Sequence, residues 1–267
     1  MICSVIIVNY NTGNMLKTVV AAALSNQGVD RIIVVDNNST DNSMSQLGEH
    51  SKLLKYYRKT NHGFAASCNY GSQFTNSEYL LFLNPDCIIT TNTISTLITS
   101  LQQHTKAAII GCRVNNPDNS EQRACRRRLP TLWRAIKTFT KLERLGKYCH
   151  CLAGVNLNHL PMPQNTTKVE AISGACILIK ARVFKQIHGF DEKFPLHFED
   201  LDLFKRILNQ GYEILFNPNI AIIHYQGLSS QHNSRVPALK KQGLIRYFQK
   251  HCSPPAYLTI KMLAKII

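Results

Sequence analysis

Over its first 114 residues the chain alternates short β-branched runs with helical segments, and that rhythm leaves few folds open. Residues 2–8, 31–36, 53–58, 79–83 and 107–114 read as strands, with helices at 15–24, 63–74 and 93–103. A β-α-β-α succession predicts an α/β fold, with a mostly parallel, Rossmann-like sheet and helices on both faces. In open sheets of this kind ligands bind beyond the C-terminal tips of the strands, so the residues that close each run matter most. The run Tyr79-Leu80-Leu81-Phe82-Leu83 ends in Asn84-Pro85-Asp86 and so presents a carboxylate at such a tip. The run ending in Asp36 leads into Asn37-Asn38-Ser39-Thr40-Asp41, a natural turn and helix cap.

Between residues 115 and 168 the rhythm fails. Pro117, Pro130, Pro161 and Pro163, polar turns and an arginine cluster mark a long excursion, helical from 132 to 145. Long insertions in compact folds are usually lids, binding loops or docking surfaces. Order is expected to return with a strand at 169–180, a helix at 181–187, a turn at Gly189 and an acid-headed helix at 199–209. Two short strands, 213–216 and 220–224, then precede a helix at 237–250. No internal repeat is evident.

With 267 residues and a 44% hydrophobic fraction, the chain can bury a substantial core in one large or two small domains. No apolar run reaches the roughly 18 residues of a membrane span. Met1-Ile2-Cys3-Ser4 places no basic residue ahead of the first apolar stretch, so a cytoplasmic chain without a cleaved signal is expected. Nine cysteines, an odd number, fit a reducing compartment. Cys3, Cys68, Cys87, Cys112 and Cys176 lie in or beside apolar runs as small hydrophobes. Cys149-His150-Cys151 has no second pair at zinc-ligand spacing and reads as structural.

The 31 basic and 16 acidic residues leave a net charge of +15, and much of the excess is local. Arg123, Arg126, Arg127, Arg128, Arg134, Lys137, Lys141, Arg144 and Lys147 crowd one segment, and Lys240, Lys241, Arg246, Lys250, Lys261 and Lys265 mark another. Neither carries a helix-turn-helix, finger or RNP-like pattern, so nucleic acid is not the expected partner. Both interleave bases with Leu, Trp, Phe, Tyr and Ile, as an anionic membrane surface would require. A solvated basic face explains any single one of these residues as well.

The acids then divide by chemistry. Asp36 can accept from a nucleobase N–H or a ribose hydroxyl, while Ser39 or Thr40 suffices for the cap. Asp86 offers an oxygen to a hard cation such as Mg²⁺ or Mn²⁺, which would neutralise the charge developing on a diphosphate leaving group. An Asn-Pro-Asp turn explains the same triplet, and spacing leaves both open. His224, closing the run Ile220-Ala221-Ile222-Ile223, could complete a carboxylate-plus-imidazole site or serve as a structural histidine. Glu199-Asp200-Leu201-Asp202 puts three carboxylates at a helix N-terminus, where the dipole favours them, and Asp202 with Arg206 reads as an ordinary i,i+4 pair. The helix gives Leu201, Leu203, Phe204, Ile207 and Leu208 to the core, which leaves Asp200 facing the crevice as a general base. One base without a second nucleophile implies single displacement with inversion.

Taken together these motifs resemble the inverting glycosyltransferases of family 2, which have the GT-A nucleotide-diphosphosugar transferase fold, and most closely their rhamnosyltransferase-type branch. The matching segments run in order: Val5–Asn11, Val34–Asp41, Asn61–Ala66 with Asn69 and Gly71, Leu81–Asp86, Ile172–Cys176, Gly189–Glu192, Phe198–Leu203 and His224. The resemblance implies a nucleoside pocket at Val8, Asn9, Tyr10 and Asp36 with Asn37 beside it, bordered by Asn61, Gly63 and Asn69. It implies metal ligation by Asp86 and His224, with Asn84 toward ribose or phosphate. It implies Asp200 as the base, with Ser173, Gly174, Ala175 and Glu199 on the acceptor side. One domain over 1–250 is expected, divided into a nucleotide-binding half (1–114), a basic insertion (115–168) and an acceptor half (169–250), followed by a basic amphipathic tail at 251–267.

The implied function is transfer of a sugar, L-rhamnose from its dTDP donor, to a surface polysaccharide or lipid-linked saccharide at the inner face of the membrane. A UDP-hexose donor and a non-catalytic saccharide-binding scaffold are the alternatives. Asn84 replaces the first acid of the family's DXD motif, which leaves strict metal dependence open. His188 stands where a glycine is usual.

Overall fold

The computed structural model describes residues 3–147, 154–226 and 236–265. Strands β1 (Cys3–Asn9), β2 (Val29–Asp36), β3 (Leu53–Tyr57) and β4 (Tyr79–Leu83) lie parallel in the order β3-β2-β1-β4. Every residue of β1 and β4 is buried, as expected of strands covered on both faces. Helices α1 (Met15–Leu24) and α2 (Phe64–Ser72) make the crossovers. After the Asn84–Asp86 turn come β5 (Cys87–Ile88), α3 (Thr93–Gln102) and β6 (Ala107–Asn115).

The second half of the sheet is supplied from further along the chain. β10 (Cys176–Lys180) runs antiparallel between β4 and β6, and β11 (Glu213–His224) lies parallel to β6. β5 and β8 (Thr167–Val169) pair antiparallel with β11. The direction of these ladders brings the ends of β1, β2, β4 and β11 and the starts of β5 and β10 to one edge.

Alternation along the strands divides the helices between two faces. Ile6 and Phe82 are in register. A Cβ at Gly71 of α2 would meet Ile6, Ile33 and Val35, and the Phe82 ring packs on Phe184 of α5 (Ala181–Gln186) and on Phe190. Tyr79 has the opposite parity, and its hydroxyl accepts from Gln102 of α3 at 3.2 Å. Asn26, just after α1, accepts from the Ile94 N–H of α3 at 3.2 Å, so α1 and α3 adjoin. The sheet is therefore covered on both sides.

Four expectations are corrected. No helix follows Asp41, whose carboxylate instead accepts from the N–H groups of Ser43 and Gly13. The helix expected over 132–145 is α4 (Leu132–Phe139), and Lys141 turns at φ 60° before a 3-10 turn, Leu142–Lys147. The strand expected over 169–180 is broken into β8, β9 (Ala171–Ile172) and β10, with Ser173–Ala175 as a loop. The two strands expected at 213–216 and 220–224 are one, whose register slips between Asn217 and Ala221 around Pro218, which has no N–H to donate.

β7 (Arg126–Arg127) pairs with β9, and α6 (Glu199–Asn209), α7 (Val236–His251) and α8 (Pro254–Leu263) complete the described elements. The cysteines of the described residues are free thiols, all buried except the half-buried Cys252. Cys149-His150-Cys151 lies outside the described residues.

Candidate active site

A connected polar cluster occupies the tips of β1 and β2. Asn9 is level with Asp36 and donates to its Oδ1 at 2.7 Å, while the Ser39 N–H donates to Oδ2 at 3.0 Å. Asn37 donates to Asn61 Oδ1 at 2.8 Å and accepts from the His62 N–H and the Ser67 hydroxyl. Asn61 Oδ1 also accepts from the Gly63 N–H, which enters α2. Asp36 and Asn37 are buried, so this turn is fixed by the protein's own bonds. A carboxylate has about four acceptor sites, so Asp36 keeps capacity for a ligand N–H or hydroxyl. Val8 is buried within β1, and half-buried Tyr10 follows Asn9.

Asn69 has a different task from its neighbours. Its Oδ1 accepts from the Phe190 N–H and its Nδ2 donates to the Phe190 carbonyl and to Glu192, each at 2.9 Å. The amide clamps the Gly189–Glu192 turn. A Cβ at Gly189 would lie 2.5 Å from Asn69 Oδ1, so that position must be glycine. His188, one residue earlier, holds φ 60°, which explains why glycine suits it too.

The second cluster sits where β4, β5 and β11 end or begin. Asp86 Oδ1 and His224 Nε2 are 3.1 Å apart, and both residues are buried. Gln122 Nε2 donates to the His224 carbonyl at 2.8 Å, which turns its Oε1 toward His224 Nδ1 at 2.9 Å. Nδ1 therefore carries the proton, and in neutral imidazole Nε2 is a bare lone pair. That lone pair faces a carboxylate oxygen, and two acceptors this close require a cation or a second ring proton between them. A carboxylate and an imidazole oriented by an outer amide fit a divalent metal. Asn84 Nδ2 lies 3.4 Å from Nε2, on the same side.

The Ser173–Ala175 loop joins this cluster to the acidic helix. The Ala175 carbonyl accepts from the Asn84 N–H at 2.9 Å. A Cβ on Gly174 would lie 3.0 Å from Asp200 Oδ2, so glycine lets the carboxylate rest on the loop backbone. Asp86 and Asp200, distant in sequence, are thus neighbours across a single loop.

Asp200 is also tied to a residue that the sequence assigned to a basic surface. Arg127 Nη2 donates to Asp200 Oδ2 at 2.5 Å and to the Ile172 carbonyl at 2.8 Å. Its neighbours in the cluster turn inward as well: Arg126 pairs with Glu121, and Arg134 with Glu170. Nothing local in the sequence distinguishes Arg127 from Arg126 or Arg128. The distinction comes from the pairing of β7 with β9.

Glu199 is buried beside Asp200, and its Oε2 and Arg127 Nε are buried polar atoms without a hydrogen-bond partner among the described residues. Burial, followed by the charge of Asp200, pushes the Glu199 carboxyl up to about 8. Its folded value lies above the ordinary 4.5, so the stability it contributes is full below about 4.5 and lost as pH rises through about 8. Glu199→Gln is therefore expected to gain melting temperature over the native chain progressively between these two pH values. A pH-independent difference in paired thermal melts would contradict this.

Asp202, expected as half of an ordinary helix pair, is fully buried. Arg206 meets it at 2.8 Å, and His251 and Lys250 of α7 each at 2.7 Å. Burial opposes its charge, but the bonds from His251 and Lys250 and the Arg206 charge hold the carboxyl below its usual range. Arg246 and Lys250 bind Asp191 in the same way at 2.8 Å, so α7 braces both α6 and the Gly189–Glu192 turn.

The sequence model of glycosyl transferase family 2 matches residues 4–160, more than half of the chain. The chain belongs to glycosyl transferase family 2. It is 27% identical over 227 residues to the low-salt glycan biosynthesis hexosyltransferase Agl10 of Haloferax volcanii, covering 84% of this chain and 67% of that protein. Over 230 residues it is 24% identical to the rhamnosyltransferase WbbL of Escherichia coli, covering 83% of this chain and 82% of that one. Its fold is similar to that of GalNAc-T7, solved with UDP, GalNAc and Mn²⁺, at a TM-score of 0.68 and 15% identity over 93% of this chain. The chain spans about half (48%) of the length of that structure. The fold is GT-A, and the mostly parallel sheet expected from the sequence is observed as a mixed one, with β5, β8 and β10 antiparallel.

Proposed function

We propose that the protein transfers a sugar, with inversion, from a nucleotide-diphosphosugar to a hydroxyl of a saccharide or lipid-linked saccharide. The observation that carries this reading is the meeting of the Asp86–His224 pair and Asp200 on either side of the Ser173–Ala175 loop. Asp36, with Asn9 and Asn37, holds the nucleoside. Asp86 and His224 hold a divalent cation, which would offset the charge that develops on the departing diphosphate. Asp200 takes the proton of the attacking hydroxyl, and Arg127 fixes the direction of its carboxylate. Glu199, protonated at neutral pH, donates a hydrogen bond to the acceptor.

For the donor, the similarity to a rhamnosyltransferase supports dTDP-L-rhamnose, whereas the relative named as a hexosyltransferase supports a UDP-hexose. A product-nucleotide release screen, with membrane extract as acceptor, distinguishes them. Release of dTDP is expected. Release of UDP alone overturns the donor assignment but not the reaction. If neither is released, and calorimetry detects binding of neither dTDP nor UDP, the chain is a scaffold.

The acceptor reading places the enzyme at the inner face of the membrane. No helix among the described residues is long and apolar enough to cross one. Trp133 at the start of α4 and Leu258 and Met262 on α8 are exposed, and α4 packs against α8. Lys261, exposed beside Met262 on α8, holds its ammonium 5.6 Å from the Tyr257 ring centroid. Apolar side chains beside bases support contact with anionic lipid.

A further inference from the structure

The donors at the Asp86–His224 pair include a sulfur. A carboxylate oxygen of Asp86, Cys87 Sγ and a ring nitrogen of His224 all lie within 4.8 Å of one another, and all three residues are buried. Cys87 and His224 are direct partners across the antiparallel β5–β11 ladder, so their side chains leave the sheet on the same face. The Cys87 N–H closes the turn onto the Asn84 carbonyl at 3.2 Å, which sets Asp86 alongside. His224 contributes the lone pair that Gln122 leaves exposed.

This donor set is softer than the oxygen ligands that suit Mg²⁺. Sulfur, imidazole and carboxylate are the ligands that Zn²⁺ takes, and a thiolate selects it over hard cations. Zinc bonds of roughly 2.0–2.3 Å set the donors of one tetrahedral ion about 3.5 Å apart, so the Asp86–His224 pair at 3.1 Å opens slightly and the sulfur closes by at most about 1.3 Å.

We propose that Asp86, Cys87 and His224 form a three-donor site for a thiophilic divalent cation, with Cys87 as its sulfur ligand. Binding exchanges the Cys87 Sγ–H bond for an Sγ–metal bond, and the proton leaves to solvent. The inference rests on the metal reading of Asp86 and His224 and adds the sulfur to it. In consequence Zn²⁺ and Cd²⁺ bind this site more tightly than Mg²⁺.

Cadmium titration of the full chain, followed by the ultraviolet sulfur-to-cadmium charge-transfer band, tests the site. The native chain is expected to show a saturable band that Cys87→Ser and Cys87→Ala both lack. Asp86→Asn and His224→Gln should weaken Cd²⁺ binding about tenfold or more, since losing even an outer-shell partner has effects of that order. A band unchanged in both Cys87 variants overturns the proposal. Mn²⁺ binding, measured in parallel by electron paramagnetic resonance, separates the two readings. If Asp86→Asn loses Mn²⁺ while the cadmium band ignores Cys87, only the sulfur is wrong. If neither metal responds to Asp86 or His224, the metal reading falls as well. Zinc-edge X-ray absorption of the native chain with one equivalent of Zn²⁺ needs no variant. One sulfur in the first shell is expected, and a shell of nitrogen and oxygen alone overturns the proposal.

Discussion

Asp200→Asn is expected to lower the rate of sugar transfer by roughly 10²–10⁴, the range typical of removing a positioned general base. The substitution is nearly isosteric. It keeps an oxygen for Arg127 and leaves Gly174 uncrowded, so the loop between Asp86 and Asp200 should hold its shape. The proposed nucleotide site, Asp36 and its neighbours, lies at the other end of the edge, and calorimetry should find nucleotide binding unchanged. Loss of rate with intact nucleotide affinity assigns the carboxylate to the chemical step. Full activity in Asp200→Asn would remove Asp200 from that step.

Arg127→Met is expected to destabilise the fold by about 3–5 kcal/mol, the cost of breaking a buried ion pair from one side. The Arg127 and Asp200 side chains are only 14% and 13% exposed, so water screens the remaining carboxylate poorly. Removing Arg127 leaves the buried Asp200 carboxylate at the start of α6 without its ion-pair partner, opposed by the partial charge of the helix N-terminus. Chemical denaturation gives the size of the effect, and a double-mutant cycle with Asp200→Asn isolates its cause. The loss should shrink markedly in the Asp200→Asn background. An equal loss in both backgrounds would mean that Arg127 acts through the Ile172 carbonyl and its packing instead.

These two residues show what was legible in the sequence and what was not. Asp200 stood out because helix periodicity gives its neighbours to the core and leaves it at the first turn. Asp36, Asp86 and His224 stood out because each closes an apolar run, and a strand end is recognisable within a few residues. Arg127 had no such mark. Its role comes from a two-residue ladder with β9, formed across a long insertion. Cys87 read as a small core hydrophobe, and only its position opposite His224 brings it beside the Asp86–His224 pair. Asn69 was expected to border the nucleotide, and no local pattern announced the bonds its amide makes to the Phe190 backbone.

What the sequence settled unaided is therefore the alternation of elements, the layered α/β class and the polar residues at strand tips. Each follows from side-chain periodicity and backbone preference within one short segment. The tertiary structure alone decided that β10 enters antiparallel between β4 and β6, which carries Ser173–Ala175 to the edge where Asn84 and Asp200 meet it. Strand order and inward ion pairs arise from contacts between distant segments, and no local pattern encodes which partner a buried strand or an arginine will find.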